Sequence, residues 1–218
     1  MRFDDQRKMM VDTQLITRGI KDEKVIKAFL TVPREAFVSD VWKDFSYTDA
    51  PLSIGFKQTI SQPYIVAFMM SLLDLKETDK VLEIGTGCGY QTALLAEIVS
   101  EVFTIDRIEE LVLSAKQTLK SLDYKNVYFK TGDGCLGWIN ALPFIKEFDK
   151  IIVSAGSPDM PVTLLNQLKI GGKLVLPQGS ITQQDIIVYE NIEDGYKCEN
   201  YGKCVFVPLI GEGAWNEE

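Results

Sequence analysis

The stretch VLEIGTGCGY, Val81 to Tyr90, decides the fold. Val81, Leu82 and Ile84 read as a short buried strand, Gly85, Gly87 and Gly89 punctuate a turn, and a helical pattern begins near Tyr90. Glycine reaches backbone angles closed to other residues and lets a ligand approach the main chain with no Cβ in between. A second apolar run, VFTID, ends in Asp106 about 20 residues beyond the first glycine. In a βαβ unit that distance carries a carboxylate to the ribose of a bound nucleoside. Strand, glycine turn, helix, strand and acid together predict a nucleoside-cofactor site.

The turn departs from the dinucleotide fingerprint. It reads GTGCG, with Thr86 between the first two glycines, rather than GxGxxG, and Glu83 stands two positions before Gly85. A carboxylate beside the turn repels a pyrophosphate but pairs with an ammonium or lies near a sulfonium. The expected cofactor is therefore S-adenosylmethionine, with Glu83 beside it.

Outward from this stretch the pattern is regular. Strands are expected at 81–84, 101–105, 127–130, 148–153 and 173–176, with helices at 90–98, 109–122 and 161–168 and a stop at Gly171-Gly172. The alternation specifies an α/β fold with a doubly wound, mostly parallel sheet. Two further strands, 185–189 and 204–207, flank a polar turn at Asp194-Gly195 and read as an antiparallel C-terminal pair. Residues 1–78 form a mainly helical N-terminal region, with helices over 4–17 and 22–30 separated at Gly19 and another from Gln62 or Pro63 to Leu73. Residues 79–218 form the cofactor-binding α/β part of one compact unit. Between them, Tyr47 to Pro63 is an irregular loop with short strands, carrying Thr59, Ile60 and Ser61, the last a candidate N-cap.

Composition narrows the function. A net charge of -8 and a pI near 4.8 disfavour nucleic acid, which needs clustered Lys and Arg. No apolar run reaches the roughly 20 residues of a membrane span, and the N-terminus MRFDDQRKMM does not read as a secretory signal, so a cytoplasmic protein is expected. Cys88, Cys135, Cys198 and Cys204 form no CxxC pair and the chain has no histidine, so neither a metal site nor a disulfide framework is expected. The missing histidine also excludes Ser-His-Asp and Cys-His chemistry.

Ligands of an open α/β sheet lie beyond the carboxyl ends of its strands, so Gly85 to Gly89, Asp106, Gly132 to Gly134 and Ser154 to Ser157 should converge. Asp133 is placed to accept from an adenine amino group, with Gly134 leaving room for the ring; its alternative is a turn or helix cap.

These motifs identify a resemblance. MVDTQLITRGIKD, VPREAFV, DAPLSIGFKQTISQPYIVAFM, VLEIGTGCGYQTALLA, GDG with GW, and FVPLIGEGAW resemble the protein-L-isoaspartate (D-aspartate) O-methyltransferases over nearly the whole chain. The resemblance implies a Rossmann-like methyltransferase fold with a variant order of the last strands. It also implies methyl transfer from S-adenosylmethionine, giving S-adenosylhomocysteine, to the free carboxyl of L-isoaspartyl, and in some members D-aspartyl, residues of damaged proteins. Another methyltransferase, or a silent S-adenosylmethionine-binding protein, is the alternative. By the resemblance Ser61 is the active-site serine, Thr59 and Ser61 meet the substrate, and Thr59, Ile60, Ser61, Glu83, Gly85, Thr86, Gly87, Gly89, Asp106, Asp133 and Gly134 surround the cofactor. A monomer acting on damaged polypeptides is expected. Ser53 departs from the usual proline, and Cys88 from the common serine, which places a thiol beside the cofactor.

Overall fold

The computed structural model describes residues 1–217. Helix α1 (Phe3–Met10) continues into a wider π-helical stretch, Val11–Ile16, and α2 spans Glu23–Thr31. Asp22 caps α2, its carboxylate accepting from the backbone N–H groups of Lys24 and Val25. The Tyr47–Pro63 loop holds a hairpin, β1 (Leu52–Gly55) with β2 (Gln58–Ile60). Phe56 and Lys57 at its tip both have positive φ, the backbone of a type I′ turn, whose twist matches that of the paired strands. Helix α3 (Pro63–Leu72) follows with Pro63 in its first turn, where a missing N–H costs nothing.

The sheet consists of β3 (Lys80–Ile84), β4 (Glu101–Asp106), β5 (Val127–Thr131), β6 (Phe148–Val153), β7 (Leu168–Gly179), β8 (Gln184–Ile192) and β9 (Gly195–Cys204). Its spatial order is β5-β4-β3-β6-β7-β8-β9, parallel as far as β7 and antiparallel beyond. Helices α4 (Tyr90–Ala96), α5 (Glu109–Ser121) and α6 (Val162–Leu165) make the crossovers. Side chains alternate between the two faces. Val81, Val102 and Ile152 join a core with Met10, Phe29, Met70 and Leu94, so the N-terminal helices share one core with the sheet. Leu82, Ile84, Phe103 and Ile151 face a second core with Leu164, Leu165 and Trp138.

The structure corrects the sequence reading at the C-terminal end. Helix α6 stops at Leu165 because Gln167 already accepts from the Phe148 N–H and Leu168 pairs with Phe148 in the sheet. Gly171 and Gly172 lie inside β7 and do not stop a helix. The expected antiparallel pair is present as a long hairpin in which Gln184 sits opposite Cys204 and Ile192 opposite Gly195; of the expected strand at 204–207 only Cys204 belongs to it, the strand lying earlier at 195–204. β9 is a solvent-exposed edge strand, so it carries no alternation of apolar residues to betray it. Among the described residues no helix is long and apolar enough to cross a membrane.

Candidate active site

The ends of β3, β4 and β6 and the loop after β5 border a cleft open to solvent. This is the crevice in which an open α/β sheet binds ligands. Gly85, Thr86, Gly87, Asp106 and Gly134 line it, together with Thr59, Ile60 and Ser61 from the hairpin and the start of α3. Eight of the positions expected around a cofactor are therefore brought together.

Local bonding shows how each is held. The Gly85 N–H donates to the Ile105 carbonyl at 2.8 Å, tying the turn to β4. Asp106 accepts from the Gly87 N–H at 2.8 Å and the Ile108 N–H at 3.0 Å, one bond to each oxygen. Its remaining lone pairs are free for ribose hydroxyls, since each carboxylate oxygen has about two acceptor sites. The Thr86 and Thr104 hydroxyls bond at 2.6 Å beneath the turn.

Three expected cofactor contacts do not line the cleft. Glu83 is wholly buried under the turn, where its carboxylate accepts from Thr92 Oγ1 at 2.5 Å, Thr104 Oγ1 at 2.7 Å and Gln91 Nε2 at 3.0 Å. It points to the α4 side of the sheet, and burial raises its pKa to about 7 despite these donors. Gly89 faces α5: a Cβ there would lie 2.6 Å from Leu119 Cδ1 and 3.0 Å from Ala115 Cβ, so it serves close helix packing. Asp133 caps the short helical turn Gly134–Leu136 through the Cys135 N–H at 2.8 Å, and its other oxygen accepts from the Glu212 N–H at 2.8 Å. That clamp fixes the C-terminal loop, whose Val207 to Ile210 segment walls the cleft. Ser61 is also not the cap of α3; Gln62 occupies that position. Among the described residues the Ser61 hydroxyl makes no hydrogen bond within the chain and is available to a ligand.

Two residues that shape the site, Arg34 and Gln91, are not singled out by the sequence. Arg34 is fully buried, with Nε donating to the Ser46 carbonyl at 2.7 Å and Nη2 to the Ser61 carbonyl at 2.8 Å, and its guanidinium lies 4.8 Å from the Tyr90 ring centroid. Gln91 and Ser154 line the cleft. Cys88 lines it too, but burial pushes its thiol up to about 11, leaving it neutral and a weak nucleophile at neutral pH.

A second, outer groove adjoins the first. Thr59, Ser61, Ser154 and Val207 line both. The outer groove continues past Pro51, Tyr64 and Phe206 and is rimmed by Arg18 and Lys203. Two spaces thus meet at a wall carrying three hydroxyls.

A cleft at the carboxyl ends of a parallel sheet, floored by a glycine turn, edged by a ribose-spaced acid and joined to a second groove, defines an S-adenosylmethionine-dependent methyltransferase of the α/β class. Comparison with known proteins narrows the class. A model of the protein-L-isoaspartate(D-aspartate) O-methyltransferase family matches residues 5–214. A protein-L-isoaspartate O-methyltransferase of Petrotoga mobilis is 52% identical over 216 residues, covering 99% of this chain and 100% of the relative. One from Syntrophus aciditrophicus is 50% identical over 218 residues, covering 99% and 98%. The chain belongs to the protein-L-isoaspartate(D-aspartate) O-methyltransferase family. A solved structure of a protein-L-isoaspartate O-methyltransferase superposes with a TM-score of 0.83 at 26% identity, covering 95% of this chain and 67% of that one. A Plasmodium falciparum structure described as such an enzyme, in complex with S-adenosyl-L-homocysteine, shares the fold with a TM-score of 0.81 at 24% identity, covering 94% and 98%.

Proposed function

We propose that the chain is a protein-repair methyltransferase that esterifies the free carboxyl of L-isoaspartyl, and of D-aspartyl, residues in damaged polypeptides. The observation that carries this reading is the junction of the two grooves at Thr59, Ser61 and Ser154. The inner cleft suits the cofactor: the Gly85–Gly87 turn would hold its amino-acid end, Asp106 its ribose and Gly134 the edge of its adenine. When bound, S-adenosylmethionine supplies a methyl group on a sulfonium. The outer groove suits an extended peptide and reaches the inner one only at the shared wall.

The residues match a carboxylate acceptor. A peptide carboxyl has a pKa near about 3.5 and is already ionised at neutral pH, so no general base is needed, in keeping with a chain that has no histidine. One carboxylate oxygen forms the new bond to the methyl carbon as the sulfur–carbon bond breaks; the opposite charges of nucleophile and sulfonium cancel, and no proton moves. A site that orients the two and sheds water favours this neutralisation, and orientation alone can supply roughly 7–11 kcal/mol. Thr59 and Ser61 supply hydroxyl donors to the carboxylate. We further propose that the enzyme works as a monomer with damaged polypeptides as its partners.

Replacement of Ser61 by Ala tests the placement. Methyl transfer should fall by at least tenfold while affinity for S-adenosylhomocysteine stays within about twofold. Equal activity in the two proteins would remove Ser61 from the reaction.

A further inference from the structure

Ser154 lies immediately beyond β6 and lines both the cofactor cleft and the outer groove. Thr59 and Ser61 line the same two spaces. The Ser154 backbone is fixed by donation of its N–H to the Ile84 carbonyl at 2.8 Å. Its Cβ packs on the glycine turn: a Cβ at Gly85 would come within 3.3 Å of it, so the bare glycine leaves room for Ser154 beside the turn. The side chain is only half-buried and remains accessible from the groove.

Its hydroxyl is held in one sense. Gln91 Nε2 donates to Ser154 Oγ at 2.8 Å and to Glu83 Oε1 at 3.0 Å. The Gln91 amide is itself anchored by the buried carboxylate, so the hydroxyl oxygen is occupied as an acceptor and its proton is directed elsewhere. A hydroxyl that has accepted one hydrogen bond still has one to give.

We propose that Ser154 is a third substrate-contacting hydroxyl, which donates to the non-reacting oxygen of the isoaspartyl carboxylate. This assignment rests on the methyltransferase reading given above. The donor holds one oxygen and turns the other, unbonded, toward the methyl group; a bond to the attacking oxygen would instead blunt the nucleophile. Gln91 is then a positioning residue, linking Ser154 to Glu83.

The experiment compares Ser154→Ala, Ser154→Thr and Ser154→Val with the unmodified chain. An isoaspartyl peptide serves as acceptor, and S-adenosylhomocysteine binding and thermal unfolding are measured alongside. The Thr and Val variants have nearly the same shape and differ in the hydroxyl, so the comparison stands even where Ala leaves a void. Ala and Val should lose about tenfold or more in kcat/KM for the peptide and Thr should stay within about threefold, with S-adenosylhomocysteine affinity unchanged in all three. Unchanged peptide kinetics in Ala and Val would overturn the assignment. A parallel loss of S-adenosylhomocysteine affinity would overturn it as well, placing the hydroxyl on the cofactor. If the unmodified chain binds S-adenosylhomocysteine but leaves the isoaspartyl peptide unmethylated, the methyltransferase reading fails and this assignment fails with it.

Discussion

Arg34 Nη2 donates to the Ser61 carbonyl at 2.8 Å from a position with no solvent exposure. The same guanidinium holds the Ser46 carbonyl, so one buried cation pins the two ends of the loop that contains the β1–β2 hairpin. Its Nη1 has no partner among the described residues, and burial lowers its affinity for its proton. An unpaired buried charge is expensive. Removing it relieves that cost but orphans two carbonyls, so Arg34→Met should change unfolding free energy by less than about 2 kcal/mol in either direction. Activity should respond far more: with Ser61 unanchored, kcat/KM for an isoaspartyl peptide should drop at least tenfold while affinity for S-adenosylhomocysteine moves little. Urea denaturation, peptide kinetics and calorimetry on one preparation check all three.

Glu83 makes stability depend on pH. Burial raises its pKa from an ordinary 4.5 to about 7, so within that window the folded protein keeps a proton that the unfolded chain has released. The unfolded state binds fewer protons, and stability falls as pH rises from about 5 to 7, then levels off. Glu83→Gln removes this contribution. Between pH 5 and pH 8 the unmodified protein should lose on the order of 2–3 kcal/mol more than the variant, read from urea midpoints at each pH.

Gly89 is a packing position. With φ at +89° and Leu119 and Ala115 against the site of a Cβ, Gly89→Ala must both strain the backbone and push α5 away. A destabilisation of about 2–4 kcal/mol is expected, visible as a lower unfolding midpoint. A midpoint unchanged by the substitution would contradict this role.

In the proposed placement Asp106 meets the ribose, and it also holds the turn through the Gly87 N–H. Asp106→Ala removes the ribose acceptor and frees the Gly87 N–H of the turn, so S-adenosylhomocysteine should bind roughly 30- to 100-fold more weakly by calorimetry.

The parallel sheet is legible because β3, β4 and β6 are buried almost throughout and read as largely apolar runs, and because glycines mark the turn after β3. The antiparallel C-terminal pair and its turn are legible too, and only its second strand is placed too late, because β9 faces solvent along its length and its residues follow no period. At the site, Gly85, Gly87, Asp106 and Ser61 stood out by residue type and spacing. Glu83 does not line the cleft because its direction depends on strand phase and on the Thr92 and Thr104 hydroxyls, neither of which spacing reveals. Ser154 stands out only by its place at the end of a strand, and Arg34 and Gln91 do not stand out at all, because their roles come from partners distant in sequence. Asp133 shows both limits, since its cap on Cys135 follows from local spacing and its clamp on Glu212 does not.

The central claim is a reaction with the isoaspartyl carboxylate, and one comparison tests it most directly. Two synthetic peptides of identical sequence, one containing L-isoaspartate and the other L-aspartate, are incubated with the protein and methyl-labelled S-adenosylmethionine. Base-labile methyl ester should form on the isoaspartyl peptide and not on its partner. Equal labelling of both peptides, or labelling of neither by protein that binds S-adenosylhomocysteine normally, would contradict the account.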